Sequence, residues 1–346
     1  MTYAINALTS KPLSLFAFLR RIGYSAQSPL VVTTLMLKAS AVAGILLLLV
    51  TILLLAFKYF RVPKAGRFRA WGWIGLGIIV VAEGLLFWGS CWVAVFITPI
   101  AWTGYLLLID AAVWSLRGES RLGEAPAHFF SLAFWSVPLW LIFEAYNLRL
   151  ENWTYVGLPE SVLVRCVGSV WSFATIWPAI LETADFVEAL GLFRSHAARR
   201  TKLSLSAHLS ILLLGLVLAT VPLFVPASLG RYLFGAVWTG FILLLDPINY
   251  YAEGRSLLRA LETGQTATCY SLLASGLICG ILWEFWNYWA TAKWVYVFPI
   301  MQQGKIFAMP LPGYLGFPAF ALECYVMYEF LRTMRRQLHR LRHVAE

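Results

Sequence analysis

The chain has 346 residues, of which 60% are hydrophobic and 13% charged, and so much apolar surface cannot be hidden in one soluble core. The 27 Lys and Arg against 17 Asp and Glu leave a net charge of +10. In a chain whose apolar runs approach the roughly 20 residues that cross a bilayer as helix, this excess marks loops held on one side of a membrane and argues against a nucleic-acid partner.

Residues 1–39 mix Arg20, Arg21 and Lys38 with LSLFAFL, a pattern for an interfacial helix or a mobile terminus. A first span is expected at about 40–57; it starts too far from the amino terminus, and lacks the cleavage site, of a removable signal peptide. The loop that follows carries Lys58, Arg61, Lys64, Arg67 and Arg69, which places it in the cytoplasm and the amino terminus outside. Further spans are expected at about 71–90, 93–115, 128–147 and 163–192. After a basic break at 194–202, four more follow at about 206–223, 229–250, 268–289 and 312–333. In this count Arg117, Arg121, Arg199, Arg200, Arg255, Arg259 and the tail RTMRRQLHRLRH lie inside, while Arg149, Lys293 and Lys305 fall outside against the trend. The five cysteines, Cys91, Cys166, Cys269, Cys279 and Cys324, show no CxxC spacing and read as packing residues.

A duplication is visible residue by residue. AWTGYLLLID at 101–110 matches VWTGFILLLD at 237–246 at an offset of 136, and IFEAYNLRLENWTYV at 142–156 echoes ILWEFWNYWATAKWVYV at 281–297 at offsets of 140 and 141. These offsets pair Trp102 with Trp238, Asp110 with Asp246, Glu144 with Glu284, Asn147 with Asn287, Trp153 with Trp294, Tyr155 with Tyr296 and Glu182 with Glu323. Ordered matching of so many residues points to repeats, and an even number of spans per copy makes them parallel, related by an axis along the membrane normal. The expected fold is therefore all-α: a polytopic membrane protein of about nine transmembrane helices, two parallel four-helix repeats after one amino-terminal span. The expected parts are an amino-terminal segment 1–70, repeats 71–193 and 206–333, and a cytoplasmic tail 334–346. A multi-pass protein of the plasma (inner) membrane is the expected setting.

Acids inside apolar spans are costly and are candidates for function. Glu144 with Asn147, and Glu284 with Asn287, share a helix face at i, i+3 spacing near the outer end of a span. They read either as groups that hydrogen-bond a neighbouring helix or the loop backbone, serving as interhelical glue, or as the polar floor of a cavity. Glu182 and Glu323 follow Pro178 and Pro318 in WPAILE and FPAFALE, where proline marks a bend and no counter-ion sits nearby on the same helix. An acid kept neutral in apolar surroundings is a proton donor, suited to a reaction started on a carbon–carbon double bond or epoxide. Asp110 and Asp246, near cytoplasmic helix ends, read as solvated or cap-like, and Glu83, which has no counterpart in copy two, reads as divergence between the halves or as private packing. Trp283, Trp286, Trp294 and Tyr296, with Trp153 and Tyr155 in copy one, exceed what an interfacial belt needs and could face a carbocation. The denser aromatic loop makes copy two the expected working half.

DDxxD, NDxxxD, GxxxxGK[ST] and GxGxxG runs are missing, and the five histidines form no ligand cluster, so no metal and no cofactor is expected. The pattern YLLLIDAAVWSLRGES, then an apolar span, a tryptophan-bearing loop and a span carrying LE, resembles the lycopene cyclase domain of the small membrane-embedded, non-flavin type. That family carries PxEE motifs followed by aromatics; here PAFALECYVMY at 318–328 and PAILETADF at 178–186 come nearest, with Cys324 or Thr183 replacing the second acid. The resemblance implies proton donation from Glu182 and Glu323 to a long isoprenoid or carotenoid-like lipid, in a redox-neutral cyclisation or isomerisation. A proton-coupled transporter or channel, and an accessory subunit of a membrane complex, are the competing readings. Expected partners are a membrane lipid or isoprenoid substrate, with a homo-oligomer or a larger complex left open.

Overall fold

In lipid a lone apolar run can satisfy its own backbone only as helix, and the expected runs are helical. The computed structural model describes residues 65–193, 200 and 202–345. Copy one comprises α1 (Ala70–Phe87), α2 (Cys91–Arg117), the short α3 (Arg121–Glu124), α4 (Pro126–Leu150), β1 (Trp153–Val156), α5 (Val162–Ala174) and α6 (Ile176–Ala189). Copy two comprises α7 (Leu205–Phe224), the short α8 (Ala227–Gly230), α9 (Phe234–Tyr251), α10 (Leu257–Thr263), α11 (Ala267–Trp289), β2 (Lys293–Tyr296), the small hairpin of β3 (Lys305–Ile306) and β4 (Met309–Pro310), a 3-10 turn (Leu311–Leu315) and α12 (Gly316–Ala345).

The protein is thus an all-α, multi-pass membrane protein with little sheet. Among the described residues, six stretches are long and apolar enough to cross a membrane: α1, α2, α4, α5 with α6, α7 and α11. The two remaining expected spans are also long helices, but α9 ends in DPINYY and α12 runs on through the basic tail to Ala345. The expected first span and most of the 194–202 break lie outside the described residues. All the described residues belong to one compact unit.

The two copies repeat their packing in detail. A Cβ on Gly75 would fall 2.3 Å from the Gly104 carbonyl oxygen, so α1 and α2 touch backbone to backbone. The same crossing recurs between α7 and α9, where Gly215 meets Leu244 and Gly240 meets Ala219. Small residues at a crossing are how membrane helices approach closely enough for dispersion to hold them. Asp110 and Asp246 are cap-like in both copies, as expected. Asp110 accepts from the Ser120 hydroxyl at 2.9 Å and the Leu122 N–H at 3.0 Å; Asp246 accepts from Ser256 at 2.9 Å and from Leu257 and Leu258 at 2.8 Å. Each aspartate thereby closes the loop that starts α3 or α10.

The two prolines differ. Pro178 lies just past the break between α5 and α6, where the Ser136 hydroxyl from α4 donates to the Phe173 carbonyl and accepts from the Trp177 N–H at 3.1 Å. One side chain thus fills the rung that the broken helix lost. Pro318 produces no bend: the preceding residues form the 3-10 turn, and it sits in the first turn of α12, where its missing N–H costs nothing.

The copies meet in β1 and β2. These pair antiparallel, Trp153 opposite Tyr296 and Tyr155 opposite Trp294, with Thr154 opposite Val295 at the centre. Since Trp153 is equivalent to Trp294, and Tyr155 to Tyr296, the register is reciprocal, as in a two-fold contact.

Candidate functional site

Beside this ribbon lies a cavity of about 520 Å³, within the range that holds small organic ligands. Both copies line it. Trp102 and Phe96 come from α2, Trp140 from α4, Trp238 from α9, Trp283 from α11 and Phe320 from α12, and the ribbon adds Trp153, Tyr155, Trp294 and Tyr296. The aromatic rings pack on one another: Trp102 lies 5.0 Å from Trp283 and 5.1 Å from Trp286, and Trp140 lies 5.8 Å from Trp153, centroid to centroid. The cavity is thus lined by the copy expected to be the working half and by its twin alike.

The four acids and two amides are brought to three different places. Glu144 and Glu284 stand one hydroxyl behind the cavity wall. Glu144 Oε1 accepts from Tyr155 at 2.5 Å, from the Trp140 indole at 2.8 Å and from the Trp153 indole at 3.3 Å. Glu284 Oε1 accepts from Tyr296 at 2.8 Å, and the Trp294 indole donates to the same Tyr296 oxygen at 2.8 Å. Burial first, and then the neighbouring carboxylate, hold the Tyr155 and Tyr296 phenols well above the ordinary tyrosine range. Each phenol therefore keeps its proton and presents a tyrosine–glutamate pair to the cavity.

Asn147 and Asn287 anchor the ribbon. The Asn147 amide donates to the Trp153 carbonyl at 2.8 Å, and its oxygen accepts from the Asn152 and Trp153 N–H groups. Asn287 likewise donates to the Trp294 carbonyl at 2.9 Å and accepts from its N–H at 3.0 Å. For the amides, of the two roles weighed from sequence, the geometry is that of the loop-backbone bond. Glu83 is not private to copy one: the Trp286 indole donates to it at 3.0 Å.

Glu182 and Glu323 are fully buried but do not line the cavity. The counter-ion that Glu182 lacks on its own helix comes from α3, with Arg121 Nε at 3.6 Å, and the same guanidinium bonds Asp185 at 2.7 Å. In copy two the residue equivalent to Arg121 is Leu257. Glu323 accordingly has no hydrogen-bond partner for either oxygen among the described residues. Glu323 is also not among the hydrogen-bond partners of Glu284, whose contacts lead to β2.

The sequence reading missed Trp102, Trp140, Trp238, Phe320, Arg165 and Arg231, all of which line the cavity. Trp102 and Trp238 are the most instructive, since they belong to the WTG motif by which the duplication is recognised. Their indole N–H groups, and the Thr98 hydroxyl, are buried without a partner among the described residues. Among the described residues no group of three or more His, Cys, Asp or Glu could hold a metal ion. Compared with family models, with curated proteins and with solved structures, the chain matches none.

Proposed function

We propose that this protein is a membrane-embedded, cofactor-independent cyclase or isomerase of an isoprenoid-like lipid, working in the cavity that its two copies share. The observation that carries the reading is an aromatic cavity with a tyrosine–glutamate pair in each half of its wall. In the acid form, Glu144 or Glu284 passes its proton to the tyrosine oxygen while the tyrosine O–H proton moves to a substrate double bond. The alkene electron pair forms the new C–H bond. The resulting carbocation lies against indole and phenyl faces, whose negative quadrupoles stabilise it. A second double bond can then give its electron pair to this cation, closing a ring and leaving the positive charge on its own far carbon. With or without that step, a C–H bond adjacent to the cationic carbon gives up its electrons to a new alkene, and the released proton returns to the carboxylate. This reading keeps the redox-neutral chemistry implied by the resemblance to membrane lycopene cyclases. It moves the reacting acids from Glu182 and Glu323 to Glu144 and Glu284. We place the ribbon at the outer face of the plasma membrane and α12's basic tail in the cytoplasm, following the arginine-rich end.

The test uses Gly235, which lines the cavity and where an added Cβ meets nothing within 4 Å. In a host that makes linear isoprenoids, the chain is expected to yield a new lipid product, and Gly235→Leu, which adds a side chain at a lining position with open space at its Cβ, to lower its yield. Absence of any new product from the unaltered chain refutes the reading. A second reading, proton-coupled transport, is favoured by one observation: Glu182, with Arg121 beside it, and Glu323 sit buried on equivalent helices, off the cavity, with no hydrogen bond to either carboxyl among the described residues. Solute uptake driven by a pH gradient and lost in Glu323→Gln would support it instead.

A further inference from the structure

We infer that the cavity takes an amphiphile with a phosphate head, held at its rim by Arg165, Lys293 and Arg231; the inference rests on the lipid-binding reading above and names its substrate class. Among the described residues that line the cavity those three are the charged ones, and none is Asp or Glu. Each is followed along the chain by further residues of the same lining. Along α5 the lining residues pass from Arg165 through Gly168, Ser169 and Ser172 to Phe173, a progression from cation through small polar groups to an aromatic ring at helical spacing. Along α9 and the turn before it, Arg231 gives way to Phe234 and Trp238. Along β2, Lys293 gives way to Trp294 and Tyr296.

The three cations are not equally committed. Arg231 is held by Glu151 at the surface, and Lys293 donates to the Tyr288 carbonyl at 3.0 Å. Arg165 has no side-chain hydrogen bond or ion pair among the described residues, and it is half-buried in the first turns of α5. A guanidinium set against an apolar cavity with its fork unused suits the planar, two-oxygen recognition of a phosphate. Below the rim, the unpartnered Thr98 hydroxyl and Trp102 and Trp238 indoles are donors for further oxygens of such a molecule. Phosphate oxygens could come from a lipid head or from free phosphate, and the aromatic floor beneath the rim selects the lipid.

The experiment measures equilibrium binding to the purified full chain in neutral detergent, using hexadecyl phosphate, hexadecan-1-ol and inorganic phosphate as separate probes. Hexadecyl phosphate is expected to bind at least about tenfold more tightly than the alcohol, the gain of one charge-assisted fork. Arg165→Gln is expected to remove most of that difference while leaving alcohol binding unchanged, and Arg165→Lys to retain part of it. Inorganic phosphate at millimolar concentration is expected not to compete; full competition would assign the rim to free phosphate and overturn the lipid assignment. Equal affinity for phosphate and alcohol overturns the inference while leaving the apolar cavity reading intact. No binding of either amphiphile, with the fold intact by circular dichroism, overturns both.

Discussion

The assignment of Asn287 as an anchor rather than a ligand contact can be tested through stability. Asn287 is fully buried and bonds only backbone: it donates to the Trp294 carbonyl at 2.9 Å and accepts from the Trp294 N–H at 3.0 Å. Asn287→Ala strips both groups of the half-buried Trp294 of their partner at once, and a backbone group left unpaired loses up to about 1–3 kcal/mol when buried. The sum for the two groups is at most about 2–6 kcal/mol. The assay is reversible unfolding of the purified protein in mixed micelles, followed by tryptophan fluorescence, with Asn287→Asp as the intermediate case that keeps the acceptor and loses the donor. A loss below about 0.6 kcal/mol, the average for one interhelical hydrogen bond in a membrane protein, would refute the argument. So would an unchanged stability combined with lost lipid binding, which would make the amide a ligand contact after all.

Three further outcomes follow from the geometry. Gly157 has a φ of +66°, and a Cβ there would fall 2.1 Å from the Thr291 carbonyl oxygen; Gly157→Ala should destabilise by more than about 1 kcal/mol, read as a lower midpoint in the same unfolding assay. The raised phenol of Tyr296 favours the protonated form in the folded state, so its contribution is complete below the ordinary tyrosine value of about 10 and is lost as pH rises above it. Stability should therefore fall on the alkaline side of pH ~10 and fall less steeply in Tyr296→Phe; equal slopes would contradict the sign. Glu323 buries two carboxyl oxygens with no partner among the described residues, so Glu323→Leu should stabilise by about 1–3 kcal/mol, and a clear loss of stability would reveal a partner that this account lacks.

How much of this was legible in the sequence depends on the range of the interaction. The helices were legible because hydrophobic run length is a local property, and the duplication because both copies keep rare residues in order. Asn147 and Asn287 were found, and the role given to them by the structure was one of two open to them, since i, i+3 spacing fixes a face but not what that face meets. Arg121 beside Glu182 was not legible: the pair spans the loop of α3 and the break between α5 and α6, and nothing in either segment announces the other. The cavity was hidden for a related reason. Trp102 and Trp238 served as marks of descent, while their meeting in one pocket depends on the ribbon that ties the copies together. Pro178 and Pro318 look equivalent in sequence, yet only Pro178 adjoins a helix break, because the 3-10 turn starts α12 almost at its proline.

The ribbon of β1 and β2 carries one more implication, about how this chain can change. Its two strands meet through equivalent residues, Thr154 opposite Val295 at the midpoint, so each copy presents the surface that its twin requires. A single unit with this strand would already have been able to recognise another of its kind. Fusion turned that mutual fit into a constraint: a residue inserted in either strand shifts the register of both and moves Tyr155 or Tyr296 off its glutamate. The helices facing lipid are free to drift one substitution at a time, but the two halves of this seam can only evolve in step.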